Sequence, residues 1–197
     1  RVKNIRIVGG LDEVIMVDQS PLSRTPRSTP AVYLGVFDLI RKLFAATEEA
    51  KAKKLTMGYF SFNSGAGRCE RCWGSGYEKV EMQFLSDLFV KCPECEGRRY
   101  QPEALKTTLF GQSVADVLEM TADQAATFFQ TMEAKMAQKI VAALQVLIDG
   151  GLGYLPMGRP LNTLSGGEAQ RLKLVGQLLS KESQGKHALL IFAEPTT

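Results

Sequence analysis

The sequence predicts a mixed α/β fold, in which a strand-containing core is interrupted by a long, mainly helical insertion that carries a small β-hairpin. Two short apolar runs, at residues 14–17 and 189–192, lie near opposite ends of the 197-residue chain. Such runs, bounded by polar residues, are typical of strands buried on both faces. Helical patterns fill most of the interval between them, and two C-x-x-C pairs lie within it.

The composition is that of a globular chain with little net charge. Its hydrophobic content of 45% is enough for one ordinary domain or two modest ones. The 24 basic and 21 acidic side chains leave a formal charge of +3, which does not by itself indicate a nucleic-acid-binding protein. Neither a membrane-length apolar run nor a signal-peptide pattern occurs, so we expect a cytoplasmic chain without membrane contact.

The segment that follows the first apolar run is predicted to be a loop and then helices. Residues 20–30 contain three prolines together with Arg24 and Arg27, which is too irregular for a helix or strand. Thr29 and Pro30 favour a helix start, and a single helix would bury Tyr33, Val36, Phe37, Ile40, Leu43 and Phe44 on one face. A charged second helix is expected at residues 47–54.

An alternating stretch at residues 77–84 predicts a β-hairpin with Val80, Met82 and Phe84 on one face. Helical patterns resume after Ser113, Thr121 and Met132, and the last of them continues to the glycines at positions 150 and 151. We expect this hairpin to carry the four cysteines.

The cysteines match the spacing of a four-thiolate zinc site. The 19 residues between the pairs separate Cys69 and Cys72 from Cys92 and Cys95, and each pair can hold one side of a tetrahedral ion. Glycines at positions 74, 76 and 97 allow tight turns that point backbone N–H groups at the thiolates. The alternative is a redox function, but a redox motif needs only one pair, usually at a helix start. Zinc is therefore the predicted cofactor.

Basic side chains near the cysteines suggest a phosphate contact. Residues 67–99 contain six basic and six acidic side chains, so charge alone leaves a purely structural role for the metal open. The pattern of residues 69–76 also resembles the zinc modules of DnaJ-type chaperones, which favours protein contact. Four arginines close to the cysteines could nevertheless converge on a nucleic acid: Arg68, Arg71, Arg98 and Arg99.

The segment Leu164-Ser165-Gly166-Gly167-Glu168 precedes a helical pattern. Ser165 and Glu168 fit a capping box, which is a purely structural arrangement. A capping box does not require two glycines in the first helical turn, where each costs up to about 1 kcal/mol relative to alanine. Glycines at a helix start let backbone N–H groups approach a phosphate, and the helix dipole favours the same contact. We therefore predict a phosphate-binding helix start.

The stretch LSGGEAQR resembles the signature motif of ABC-type ATPases, in the form found in the UvrA family of bacterial nucleotide excision repair. The resemblance covers nearly the whole chain. Four stretches are similar to the second half of that family's proteins, in the same order: VDQSPLSRTPRSTPAVYLGVFD, GYFSFNSGAGRCERCWGSG, VEMQFLSDLFVKCPECEGRRY and GLGYLPMGRPLNTLSGGEAQR.

This resemblance implies a specific chemistry. ATP with Mg²⁺ would be sandwiched between a P-loop of one unit and the signature motif of another, at residues 164–168. Gln19 would be the Q-loop glutamine, and Glu194 would orient the attacking water. Double-stranded DNA is the implied ligand of Arg24, Arg27 and the four arginines near the cysteines. A second UvrA subunit is an implied partner, as is UvrB, through a region outside this chain.

Several residues depart from the family pattern. Ala193 stands where the Walker B strand carries an aspartate, so metal-dependent hydrolysis that uses this strand is expected to be weakened. The family usually has a basic residue at the position of Gly65, and His187 cannot serve as the switch histidine. No G-x-x-x-x-G-K-[ST] sequence occurs in these 197 residues. We therefore expect the chain not to hydrolyse ATP by itself.

The predicted organisation has four parts. Residues 1–20 and 183–197 belong to the ATP-binding core, with the Q-loop and the Walker B strand respectively. Residues 21–66 and 100–182 form the helical signature domain, and residues 67–99 form the zinc-binding module. The predicted function is to couple ATP state to DNA binding. The alternatives are a zinc-stapled protein-interaction module and a UvrA-like drug-resistance ATPase.

Overall fold

The computed structural model describes residues 13–18, 20–82, 87–182 and 188–192, and it confirms the mixed α/β class. The strands are β1 (Glu13–Val17), β2 (Tyr77–Val80), β3 (Leu88–Lys91), β4 (Thr108–Leu109), β5 (Gln112–Ser113) and β6 (Ala188–Phe192). The helices are α1 (Pro30–Tyr33), α2 (Val36–Ala45), α3 (Glu48–Ala52), α4 (Pro102–Leu105), α5 (Val114–Glu119), α6 (Ala122–Gln130), α7 (Lys135–Leu147) and α8 (Gly166–Glu182).

Strands β1 and β6 pair in parallel, with Val14 opposite Leu189 and Val17 opposite Phe192. Both predicted terminal strands are therefore confirmed, but the expected burial on both faces is wrong for this chain, because Val14, Met16 and Leu189 are exposed. A parallel pair cannot be joined by a tight turn and needs a crossover connection. Here everything from the loop after β1 to helix α8 forms that connection, so the helices and the cysteine cluster are an insertion between two adjacent strands.

The prediction of a single helix after Pro30 is wrong. Gly35 adopts a left-handed conformation with φ 72°, which separates α1 from α2. The side chain of Thr29 accepts a hydrogen bond from the backbone N–H of Val32, as expected for the start of α1. Tyr33 is 37% exposed, whereas the other five residues of the predicted apolar face are buried. The break rotates the face of α1 relative to that of α2.

The hydrophobic core lies among α2 and α5–α8. Helices α5 and α6 begin after Ser113 and Thr121, as the sequence predicts, and each start is closed by a capping box. Helix α7 ends before a turn in which Gly151 has φ 71°. The large side chains that are fully buried here include Phe44, Phe129, Ile140, Leu144 and Leu147. Within the described residues, no helix is both long and apolar enough to cross a membrane.

The cysteine-containing segment leaves the helical core and returns to it at one place. Cys69 N–H donates to the carbonyl of Arg99 at 2.9 Å, and Gln101 N–H donates to the carbonyl of Gly67 at 3.0 Å. Tyr100 is buried at this junction, where its hydroxyl donates to the carbonyl of Phe60 at 2.7 Å. The base of the segment is thus attached firmly to the core.

Two hairpins complete the fold. The β2–β3 hairpin confirms the prediction from the alternating stretch, and Val80 and Met82 are exposed on it. The predicted position of Phe84 lies outside the described residues. Strands β4 and β5 form a second hairpin that the sequence did not predict, with a turn at Phe110 and Gly111 in which both residues have positive φ. The predicted domain boundaries at residues 20, 66, 99 and 182 stay predictions.

Candidate metal centre and signature helix

The four cysteine sulfur atoms form one buried cluster. They lie within 4.8 Å of one another, and no disulfide joins any of them. The cysteines are between 0% and 7% exposed: Cys69, Cys72, Cys92 and Cys95. Four sulfur ligands in an enclosed space of this size fit a tetrahedral zinc ion. The predicted set of metal ligands is therefore brought together by the fold.

Each cysteine pair lies in a turn of the same shape. The residue after the second cysteine has a left-handed backbone, with φ 53° at Trp73 and φ 52° at Glu96, and a glycine of positive φ follows in each case. The N–H of Gly76 donates to the sulfur of Cys72 at 3.3 Å. A turn that points backbone N–H groups at sulfur stabilises thiolate ligands, whereas a redox pair usually lies at a helix start.

Burial opposes the ionisation of the Cys69 and Cys95 thiols in the absence of a cation. It raises the pKa of Cys69 and of Cys95 above the usual range of a thiol. Burial also acts on Cys92, but backbone hydrogen bonds from Cys95 and Glu94 outweigh it and lower the pKa of Cys92. Four neighbouring thiolates repel one another, so the cluster can ionise fully only with a cation at its centre.

A buried arginine joins the cluster to the rest of the chain. Arg99 is 3% exposed, and its guanidinium lies 4.7 Å from the ring centre of Phe62. It donates to the carbonyl oxygens of Gly74 at 3.4 Å, Ser75 at 2.8 Å, Pro26 at 3.1 Å and Gly158 at 3.2 Å. Arg99 therefore does not present its charge at the surface, where the sequence placed it as a DNA contact.

The other predicted DNA-contacting arginines divide into two groups. Carboxylates neutralise Arg71, which pairs with Glu78 at 2.6 Å, and Arg98, which pairs with Asp116 at 2.6 Å. The four arginines near the cysteines thus do not form one cationic edge, because one is buried and two are paired.

Three of the predicted DNA-contacting arginines are neither buried nor paired with a carboxylate in the part of the chain that the structure describes. Arg27 donates to the carbonyl of Trp73 at 2.9 Å, and Arg68 donates to the carbonyl of Asn63 at 2.7 Å. Arg24 is exposed and lines, with Arg27, a cleft of about 430 Å³ next to β2 and β3. Arg27 and Arg68 both contact Trp73, so they share one surface.

The backbone around Gly65 leaves no room for the basic side chain that is usual in the family. A Cβ atom there would lie 2.3 Å from the carbonyl oxygen of Gly58 and 2.5 Å from that of Ser61. The glycine is thus explained by the close approach of the chain to itself. A basic side chain would require a different backbone at this point.

The capping box predicted at the start of α8 is present. Glu168 N–H donates to the hydroxyl of Ser165 at 3.2 Å, and Ser165 N–H donates to the Glu168 carboxylate at 2.8 Å. Ser165 is exposed, while Leu164, Gly166 and Gly167 are half-buried. The first turn of the helix therefore combines a fixed backbone with glycines that carry no side chain to block a ligand.

Two residues that sequence reasoning missed hold this helix start in place. Glu168 is 8% exposed and accepts hydrogen bonds from the hydroxyl of Tyr154 at 3.0 Å and from the guanidinium of Arg159 at 3.1 Å. Burial acts against the charged form, but hydrogen bonds from Ser165 and Tyr154 outweigh it and lower the pKa of Glu168. Tyr154 and Arg159 both lie in the stretch GLGYLPMGRP, which resembles the family but contains no pattern that indicates these contacts.

Helix α8 is also fixed to the end of β1. The side-chain amide of Gln170 donates to the carbonyl of Val17 at 3.2 Å. Lys173 contacts both the carboxylate and the carbonyl of Asp18, and it lies 2.7 Å from the hydroxyl of Ser20. The hydrogen bond from Lys173 lowers the pKa of Asp18 to about 2. The residues on both sides of position 19, Asp18 and Ser20, therefore contact helix α8.

The two predicted catalytic residues are Gln19 and Glu194, and two further positions, His187 and Ala193, depart from the family pattern. All four lie outside the described residues. Their predicted roles stay predictions.

Comparisons with known proteins identify relatives over the whole chain. UvrABC system protein A of Aquifex aeolicus (strain VF5) is 52% identical over 196 residues, which are 100% of this chain and 20% of the relative. The protein of the same name from Bacillus subtilis (strain 168) is 51% identical over 195 residues, 99% of this chain and 20% of the relative. No family model matches the chain.

The crystal structure of UvrA2 from Deinococcus radiodurans is similar in fold, with a TM-score of 0.85 and 45% sequence identity. The match covers 95% of this chain and 22% of that one. The fold, the cysteine cluster and the LSGGE helix start thus define a segment of an ABC-type ATPase with an inserted four-cysteine module. The chain belongs to the UvrA family, and it spans about one fifth of the length of the curated relatives it matches.

The two glycines after the cysteine pairs provide a matched test of the metal-binding turns. Gly74 and Gly97 both have positive φ, so alanine costs about 1–2 kcal/mol at either position. At Gly74, however, the added Cβ would lie 1.8 Å from the carbonyl oxygen of Phe62, whereas nothing lies closer than 3.7 Å at Gly97. Gly74→Ala is expected to lose zinc, and Gly97→Ala to keep it. The measurement is zinc content per chain after gel filtration, together with the thermal unfolding midpoint. Equal zinc content in the two variants would contradict this account of the turns.

Replacing Glu168 tests the network at the start of α8. Glu168→Ala leaves the N–H of Ser165 and the donors of Tyr154 and Arg159 without their acceptor, which should cost about 1–3 kcal/mol of unfolding free energy. Glu133→Ala, at an exposed position, is the control and should have little effect. Both are measured by urea denaturation.

The effect of Glu168→Ala should depend on pH. Because the pKa of the folded carboxyl is lowered, its contribution is present above the ordinary glutamate pKa. It is lost as the pH falls through the lower folded value, so the difference between wild type and Glu168→Ala should shrink in acid. A difference that grows on acidification would rule out this assignment of the charge.

Proposed function

We propose that this chain is the part of a DNA-repair ATPase that presents a signature motif to ATP and links that site to double-stranded DNA. In this proposal, the nucleotide and its Mg²⁺ are held mainly by the P-loop of another nucleotide-binding unit. Zinc, bound by the four cysteines, fixes the module that faces DNA. A second UvrA subunit completes the ATP site, and UvrB binds to a region outside this chain.

The start of α8 supports the nucleotide role. Ser165 is exposed, and the next two residues, Gly166 and Gly167, lack side chains that would keep a phosphate away from the backbone N–H groups. The helix continues for 17 residues, so its dipole adds positive potential at the same end. The network around Glu168 holds this turn in one conformation before a nucleotide arrives.

A continuous set of hydrogen bonds supports the coupling role, and it is the observation on which the proposal depends most. Arg99 contacts the metal-binding turn at Ser75 and the loop before α8 at Gly158. The next residue, Arg159, donates to Glu168 in the signature motif. A displacement of the helix start would therefore be transmitted to the cysteine cluster through one loop and two guanidinium groups.

The same arginine supports a link to the DNA-facing surface. Arg99 also donates to the carbonyl of Pro26, directly before Arg27. The proposed DNA contacts are those predicted arginines that are neither buried nor paired with a carboxylate among the described residues: Arg24, Arg27 and Arg68. Unpaired guanidinium groups are the natural ligands of phosphates, since no ion pair has to be broken first.

The catalytic roles proposed for Gln19 and Glu194 rest on the family alone. Asp18 and Ser20, on either side of Gln19, both contact Lys173 of α8. This contact would make the Q-loop and the signature helix move together. Ala193 in place of the Walker B aspartate would weaken Mg²⁺ binding on this strand, and a cytoplasmic location completes the proposal.

The nucleotide role can be tested in a complete UvrA protein that contains this segment. Gly166→Asp places a carboxylate where the γ-phosphate is proposed to bind, so ATP hydrolysis should fall about a hundredfold while ATP binding is retained. Gln138→Asp puts the same charge on an exposed position of α7 and serves as the control. The 197-residue chain alone should show no hydrolysis. Unchanged hydrolysis by Gly166→Asp would overturn the nucleotide role.

The DNA role can be tested with two sets of arginine variants of the zinc-loaded chain. Glutamine at positions 24, 27 and 68 removes charge but keeps side-chain donors for the carbonyls of Trp73 and Asn63. Losing three phosphate contacts should reduce the slope of log affinity against log salt concentration by roughly two to three. The matched control replaces the paired Arg71 and Arg98 with glutamine and should change the slope little. The measurement is fluorescence anisotropy of a labelled duplex at several salt concentrations. If the two sets of variants change the slope to the same extent, Arg24, Arg27 and Arg68 are not the DNA contacts. The alternative of a zinc-stapled interaction module is then favoured.

A further inference from the structure

The single tryptophan of the chain lies on the outside of the metal-binding module. Trp73 directly follows the metal ligand Cys72 and is 58% exposed. Its left-handed backbone is set by the metal-binding turn, because Glu96 has almost the same φ in the second turn. The cysteine-containing turn therefore fixes the backbone from which the indole projects.

The indole is held firmly although it is exposed. The guanidinium of Arg68 lies 4.9 Å from the ring centre and covers one face of the ring. Arg68 is itself held by the carbonyl of Asn63, and the carbonyl of Trp73 accepts a hydrogen bond from Arg27. A cation on one face and a fixed backbone leave the ring oriented with more than half of the residue's surface free.

The charge around this ring distinguishes it from other exposed aromatic residues. Phe110 is 72% exposed, but its neighbours in the adjacent cleft include Glu133 and no basic residue. Trp73 instead contacts two arginines that have no carboxylate partner among the described residues. An oriented aromatic ring beside unpaired guanidinium groups is the combination that binds unpaired nucleic-acid strands, in which bases stack on the ring and phosphates meet the cations.

We infer that Trp73 stacks on an unpaired base of DNA, while Arg24, Arg27 and Arg68 contact the phosphates beside it. This inference rests on the proposed DNA contact and adds a selectivity to it. In an intact duplex each base is already stacked between its neighbours, so no base face is available to stack on the indole. In a single strand, or where a duplex is locally unpaired, a base is available. The site therefore favours open DNA over intact DNA.

Intrinsic fluorescence tests the contact directly, because all tryptophan emission of this chain comes from Trp73. The zinc-loaded chain is titrated with three probes: a single-stranded 15-mer, the same sequence as a perfect duplex, and that duplex with three central mismatches. Stacking on a base should quench the emission with the single strand and the mismatched duplex. The perfect duplex should bind through phosphates with little quenching.

Variants separate stacking from charge. Trp73→Ala should weaken binding of the single strand about tenfold, and Trp73→Phe should restore much of the loss. Affinity for the perfect duplex should change little in either variant. Phe110→Ala removes an exposed ring elsewhere and should leave every affinity unchanged. Zinc content of each variant is measured to establish that the module is intact.

The outcomes distinguish this inference from the proposed function. If the arginine variants weaken duplex binding, but Trp73→Ala changes no affinity and no probe quenches the emission, the stacking contact is wrong and the DNA role stands. Equal quenching by all three probes would overturn the selectivity for unpaired bases. If the zinc-loaded chain binds none of the probes, both the inference and the DNA role are wrong.

Discussion

The buried guanidinium of Arg99 is the interaction on which the arrangement of this chain depends. A buried charge is unfavourable unless it is fully hydrogen-bonded, and Arg99 is satisfied only when three separate segments lie around it. These are the metal-binding turn at Gly74 and Ser75, the proline-rich loop at Pro26 and the loop at Gly158. Displacing any one segment would leave a buried donor without a partner.

The metal centre and this arginine support each other electrostatically. Burial lowers the pKa of Arg99, while Tyr77 and Tyr100, and to a smaller extent Cys72 and Cys95, act in the opposite direction and favour the guanidinium. Four thiolates around a divalent ion carry a net negative charge, so metal binding strengthens the environment that the arginine needs. The four-cysteine module is thus joined through this arginine to the loops before α1 and before α8.

The cationic surface of the chain is much smaller than its arginine content suggests. Arg71 and Arg98 are paired with Glu78 and Asp116, which lie seven and 18 residues away. Exposed ion pairs contribute little stability, but they do remove charge from the field that a polyanion meets. Of the arginines predicted to contact DNA, Arg27 and Arg68 remain at the surface around Trp73, where the cysteine-containing turn places an aromatic ring beside them. The proposed selectivity for unpaired bases follows from this combination.

The sequence by itself determined the features that depend on local chemistry. The terminal strands, the helix starts at Ser113 and Thr121, the capping box at Ser165 and the C-x-x-C pairs were predictable, because each involves residues a few positions apart. The break at Gly35 was missed because helical periodicity continues across it, and the β4–β5 hairpin was missed because two-residue strands carry almost no pattern. The metal ligands were found because their spacing is specific.

Only the tertiary structure decided which arginines have a guanidinium group that is exposed and not paired with a carboxylate. In the sequence, Arg98 and Arg99 are neighbours of the same type beside the same cysteine. In the fold, one pairs with Asp116 and the other is buried against a carbonyl 59 residues away. Likewise, Tyr154 and Arg159 gained their role from a carboxylate on another element. Burial and pairing are set by long-range contacts, and for that reason residue type and spacing could not determine them.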